Sequence, residues 1–173
     1  MTDPTVDRQT VLAGFDTARQ DFEAALRRAP DAALRHKADG EEYTLGGLVV
    51  HVTDVLRHYA QVLDALRQAD FGPLTAPEHV TSEEDAAQIR VGFDGAARGP
   101  VVEDMRSAHA ALVDAVLLSP EPEFRRQAAV TYGQTSQPYP TSYADVVGWV
   151  ADHYREHTQH IADLVSDWAQ ATR

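Results

Sequence analysis

The sequence predicts an all-α protein, a four-helix bundle with a long crossover loop between its second and third helices. Three observations carry this reading. Apolar residues recur at alternating spacings of three and four in four separate stretches, which draws one apolar stripe along each of four α-helices. Proline and glycine punctuate the chain between those stretches. Helices that are apolar on one side only must bury that side against one another.

The first helix runs from about Val6 to Ala29, with Val11, Leu12, Phe15, Ala18, Phe22, Ala25 and Leu26 on its stripe. Pro30 stops it, because the residue before a proline disfavours helical backbone. Asp31 to Tyr43 is polar, with Gly40 as a turn signal, and connects to a second helix capped by Thr44 and running to about Ala69. The stripe of that helix is Leu45, Leu48, Val52, Val55, Tyr59, Val62 and Leu66; His51 flanks it, and His58 lies two turns on, nearer the polar side. Asp70 to Val80 holds Gly72, Pro73 and Pro77 without periodicity, a connection of about a dozen residues that suits a crossover.

Thr81 and Glu84 form a candidate capping box for the third helical region. Gly99-Pro100 interrupts that region, giving a kinked helix or two helices in tandem, with Pro100 suited to the first turn of the second piece. Its stripe is Val102, Met105, His109, Leu112 and Val116. Ser119 to Pro140 contains four prolines and the stretch AVTYGQ, and reads as an ordered loop or a short strand pair. Thr141 or Ser142 caps the last helix, which extends to Gln170 with Tyr143, Val147, Val150, Tyr154, His157, Ile161, Leu164 and Trp168 on its stripe.

The 173 residues are expected to form a single domain over 1–173. A net charge of −12 argues against nucleic acid and against anionic membrane surfaces as partners, since both select basic patches. The polar start and the lack of any run of transmembrane length make a cytoplasmic protein the expectation. The absence of cysteine excludes disulfides, thiolate metal sites and a catalytic thiol, so any metal must be held by histidine and carboxylate.

Eight histidines are present. His36 and His79 fall in loops and are expected to face solvent, while His109, alone on its helix, reads as a hydrogen-bonded core residue. His153 and His157 are different. Their i, i+4 spacing aims two imidazoles at one point, and His157 lies in the driest part of the stripe, with His153 about 40° away on the helical wheel. Burying two imidazoles without partners would cost on the order of 1–3 kcal/mol each, and one shared ion would satisfy both. The carboxylate-bridged di-iron template fails because no Glu-x-x-His occurs. The string His153-Tyr-Arg-Glu156-His157 matches H-x-x-E-H of inverted zinc proteases but lacks their surroundings. A G-x-S-x-G elbow and a glycine-rich phosphate loop are absent.

GGLVVHVTDVLRHY, containing His51, followed about a hundred residues later by HYREHTQHI, resembles the DinB/YfiT-like superfamily. The resemblance spans nearly the whole chain in helix order and loop lengths. It implies a four-helix bundle with one metal-binding histidine on the second helix and a His-x-x-x-His pair on the last, which here are His51, His153 and His157; His160-Ile161 occupies the trailing position. The name implies no binding of DNA. Three neutral imidazoles leave a divalent ion its full charge and an open position, from which it activates water or a thiol and polarises a carbonyl.

The resemblance therefore implies a metal-dependent enzyme, a thiol S-transferase or a small-molecule hydrolase, with zinc first and nickel or iron as alternatives. Its partners would be a small-molecule substrate, including a low-molecular-weight thiol, and a second copy of the chain, since many relatives are homodimers. The alternative is a non-catalytic stress-response or small-molecule-binding bundle with a structural metal or none. No residue is assigned a catalytic role. Asp54, Asp152 and Glu156 are near the ligands in sequence and are candidates to orient an imidazole, with surface solvation the simpler role for each. Tyr132 and Tyr139 would pack on the bundle end or line a pocket mouth.

Overall fold

A computed structural model describes residues 7–133 and 137–173. Helices dominate: α1 (Arg8–Arg28), α2 (Leu45–Gln68), α3 (Glu83–Val91), α4 (Arg98–Leu118) and α5 (Tyr143–Ala171). Three short strands, β1 (Leu74–Thr75), β2 (Ala128–Thr131) and β3 (Tyr139–Thr141), make one small sheet. Val6, the expected start of the first helix, and Gln134 of the AVTYGQ stretch lie outside the described residues.

Helices α1, α2, α3 and α5 each begin where a side chain satisfies an amide that has no partner within the helix, whereas α4, preceded by Ala97, has no such cap. Asp7 accepts from the amide of Thr10 at the head of α1, and Thr44 from that of Gly47 at the head of α2. Ser142 and Asp145 cap α5 reciprocally, which makes Ser142 rather than Thr141 the cap. At α3 the cap is Ser82, which accepts from the amide of Asp85. The expected Thr81–Glu84 box does not form, because the Thr81 hydroxyl donates instead to Asp54.

The third helical region is two helices in tandem, and the break falls at Gly92 rather than at Gly99-Pro100. Gly92 has φ +72°, and a Cβ there would meet the carbonyl oxygen of Leu34 at 2.4 Å. Gly99 and Pro100 instead lie in the first turn of α4, where a missing N–H costs nothing because that amide would have no helical acceptor.

Helix α1 packs along α5, while α2 packs on α3, α4 and α5. Phe15, Phe22, Leu48, Val52, Leu56, Leu63, Met105, Leu112, Val147 and Tyr154 all lie in the shared core with no exposed surface. Where α2 starts, α3 and the loop after α1 close tightly on it. The amide and hydroxyl of Thr44 both donate to the Ile89 carbonyl, and a Cβ on Gly47 would stand 2.0 Å from that oxygen.

The sheet joins two connections that are distant in the chain. β1 pairs in parallel with β2, Leu74 opposite Val130, and β2 pairs antiparallel with β3, Ala128 opposite Thr141. The β2–β3 pair answers to the strand pair expected between Ser119 and Pro140; β1 falls within the stretch read as a plain loop. Before β1, α2 ends in a tight turn with Asp70 and Phe71 at positive φ, 46° and 56°. Arg126 clamps that turn, donating to Asp70 Oδ1 and to the Asp70 carbonyl at 2.7 and 2.8 Å, with its guanidinium 5.0 Å from the centre of the Phe71 ring.

A polar seam lies between α1 and α4. Glu23, 7% exposed, accepts from Arg106 at 2.6 and 3.0 Å and also from Arg19. A cavity of about 790 Å³ opens beside this seam and is lined by Asp16, Arg19, Glu23, Arg106 and His109 among others. Asp16, Arg19, Glu23 and Arg106 are already paired with one another. Among the described residues no helix is long and apolar enough to cross a membrane.

Candidate metal centre

Two helices bring the candidate ligands together. On α2, His51 stands beside the buried row Leu48, Val52, Val55; on α5, His153 and His157 are one turn apart, beside Val150, Tyr154 and Ile161. His157 is 5% exposed, while His51 and His153 are partly covered. One ring nitrogen from each of the three lies within 4.8 Å of the other two, the sole such group of histidine or carboxylate side chains among the described residues.

The rings are set for convergence. His51 and His153 face each other through their Nε2 atoms at 3.1 Å, and His157 stands nearly perpendicular to both, with interplanar angles of 88° and 89°. Two imidazole nitrogens on one tetrahedral zinc, at bonds of about 2.0–2.1 Å, are separated by roughly 3.4 Å. The observed spacing of the first pair is close to that value.

Burial sets the charge state. It is the largest cause of the low pKa of each ligand, holding His51 near 4 and His157 near 3 and lowering His153 as well. For His157 the neighbouring His153, His51 and His160 push in the same direction. All three imidazoles are therefore neutral at physiological pH, the form that ligates a metal. Nδ1 of His157 is buried and has no hydrogen-bond partner, an unmet polar atom on one of the three rings. A donor set of three neutral, converging imidazoles with an orphaned nitrogen fits a divalent metal ion.

The surroundings contain residues that periodicity did not pick out. Tyr43, on the loop before α2, lies over the group with its ring centre 4.7 Å from that of His51 and 5.8 Å from that of His157. His160 stacks on His157 at 5.7 Å and approaches Glu41 at 3.1 Å, outside hydrogen-bond geometry. One turn before His153, Trp149 is ringed by Tyr59, Tyr132 and Tyr139 at 6.2, 6.1 and 5.8 Å, so the two tyrosines of the proline-rich stretch form an aromatic wall with it.

The carboxylates near the ligands behave differently from one another. Asp152 pairs with Arg155 on the surface, as expected, and Glu156 is exposed. Asp54 is not a solvated surface group: it is buried and accepts from His79 at 2.8 Å and from Thr81 at 2.6 Å. His79 is exposed, as expected, but hydrogen-bonded to Asp54, and the half-buried His36 is held by Asp167 at 2.7 Å. His109 is the core residue expected. It stacks on Phe15 at 4.0 Å, meets the Tyr154 hydroxyl at 3.4 Å, and takes no part in the triad.

The chain matches the family described as the DinB superfamily over residues 14–161, a span that contains all three histidines. No curated protein matches it.

Proposed function

The chain belongs to the DinB superfamily, and on that premise we propose that His51, His153 and His157 bind one divalent metal ion and that the protein is an enzyme working through it. The observation that carries this is the convergence of three neutral imidazoles from two helices on one point. Zinc is the first choice of metal, with nickel or iron as alternatives. The reaction is transfer of a low-molecular-weight thiol to an electrophile, or hydrolysis of a small molecule. Bound at this set, the metal supplies Lewis acidity that brings the pKa of a water or thiol at its open position towards about 7.

The chain's own residues supply the rest. The helices hold the imidazoles neutral and oriented, Tyr43 covers the group and limits entry of water, and the wall around Trp149 offers an apolar face for a substrate. We read the four long helices as the superfamily's four-helix bundle, residues 69–82 as its crossover, and 1–173 as one cytoplasmic domain that pairs with a second copy.

A second reading, a non-catalytic binding bundle, is favoured by the 3.1 Å contact between His51 and His153, which as an N–H···N hydrogen bond satisfies both Nε2 atoms without an ion. Elemental analysis of untagged protein purified without added metal separates the readings. The enzyme is expected to carry close to one equivalent and, when loaded, to accelerate either thiol conjugation to an electrophile or hydrolysis of simple esters and amides. Bound metal with no rate in either panel would favour the binding bundle.

A further inference from the structure

Helix α2 carries His51, Asp54 and His58 at i, i+3 and i+7, which places them along one face. The first belongs to the triad. The other two hold a fourth histidine, His79, which arrives from the connection after β1. We propose that Asp54 and His79 form a proton-transfer pair beside the three-histidine centre, with His79 as the base that takes the proton of a thiol or water there and Asp54 as the residue that positions it. This rests on the metal-dependent reading above.

The hydrogen bonds fix the chemistry. An ionised carboxylate only accepts, so the 2.8 Å contact requires His79 Nε2 to carry the proton and leaves Nδ1 with the lone pair. Thr81 donates to the same oxygen, Asp54 Oδ2, at 2.6 Å, so this buried carboxylate is held by two donors. His58 stacks on His79 at 4.6 Å with only 18° between the planes, which fixes the remaining freedom of the ring. A buried acid that locks a tautomer and stabilises the imidazolium formed next is what a histidine base requires.

Position is the second argument. Asp54 follows His51 by one turn on α2 and is hydrogen-bonded to His79, which puts the His79 ring beside the α2 arm of the centre. The His79 side chain is also 36% exposed, open to bulk solvent. The cavity beside it, about 210 Å³, is lined by Asp54, Arg57, His58, His79 and Asp85 among others. Of the charged groups there, Arg57 is engaged by Asp104 at 2.6 Å, and His58 is held neutral by burial and then by His79. The proton balance is simple: the S–H or O–H bond breaks, its electron pair stays on sulfur or oxygen, and the proton forms an N–H bond at Nδ1 before passing to buffer. No oxidant or reductant is involved.

Two measurements on zinc-loaded protein test this. Imidazole nitrogen NMR at neutral pH is expected to show His79 as the Nε2–H tautomer in wild type and as a tautomer mixture in Asp54→Asn. A wild-type Nδ1–H tautomer would overturn the proposal without touching the metal reading. Conjugation of cysteine to monochlorobimane is the second. His79→Gln is expected to keep its zinc and its melting temperature but to lose roughly 100-fold in rate; His79→Ala is expected to regain rate with added imidazole. If wild type shows a zinc-dependent rate and both variants match it, the pair is only a latch for the loop. If wild type shows no zinc-dependent rate with thiols or esters, the enzymatic reading fails and this proposal falls with it.

Discussion

The Nε2 atoms of His51 and His153 stand 3.1 Å apart although 102 residues separate them in the chain. A metal held there depends on the packing of α2 against α5 as much as on the local pair on α5. His51→Ala should therefore weaken zinc binding by more than about 100-fold, since loss of outer-shell partners alone costs 10–100-fold. His157→Ala should do the same, while His160→Gln should retain near-wild-type stoichiometry. Isothermal titration on the three variants checks this; undiminished binding by His51→Ala would remove it from the site.

The same substitution at two glycines should have opposite signs. Gly47→Ala places a methyl group 2.0 Å from the backbone oxygen of Ile89, so α3 must move, and a loss of about 2 kcal/mol or more is expected. Gly14→Ala, mid-helix in α1 with nothing within 4 Å, should gain up to about 1 kcal/mol from backbone entropy. Urea unfolding of both variants decides; equal effects would mean that the closure of α3 on α2 is looser than described.

Glu23 should matter more to stability than an ordinary surface pair. Burial raises the pKa of its carboxyl, but the hydrogen bonds from Arg106 and Arg19 outweigh this and leave it lowered. Removing one partner of a buried pair costs about 3–5 kcal/mol. Here Asp16 still holds Arg19 and Glu103 still approaches Arg106, so Glu23→Ala should cost about 2 kcal/mol. A loss below about 0.5 kcal/mol in denaturant unfolding would place the seam among exposed pairs.

His109 gives a pH dependence separate from the centre. Burial first, and then Arg19, hold it near pKa 4, against 6.5 when unfolded. The unfolded chain thus binds more protons between those values, so the contribution is complete above about 6.5 and is lost as pH falls towards 4. Metal-free His109→Gln should show a smaller drop in melting temperature from pH 7 to pH 5 than metal-free wild type, at about 2–4 °C per kcal/mol for a chain of this size. Identical slopes would mean that His109 is hydrated.

The parts of the fold that repeat every 3.6 residues were legible beforehand. The stripes of α2 and α5 placed His51, His153 and His157 on faces that pack together, because burial on a helix is set by angle alone. Gly92 went unread because Gly-Pro is the louder signal, yet a proline in a helix's first turn disrupts nothing. β1 is two residues long, and its pairing with β2 lies far off in the chain, so no local pattern could announce it. Tyr43 and His79 owe their places to how loops and helices meet, and spacing within one segment carries no trace of that.

The small sheet also bears on how the molecule opens. Its parallel contact rests on Leu74 and Thr75 against Val130 and Thr131, with the Ala76 amide bonding the Thr131 carbonyl at 2.9 Å. So short a ladder between distant segments is weakly protected compared with the long helices beneath it. Its amides should exchange with deuterium well before those in the middle of α2. The connection that carries His79 would then separate from β2 while the helical core stays shut.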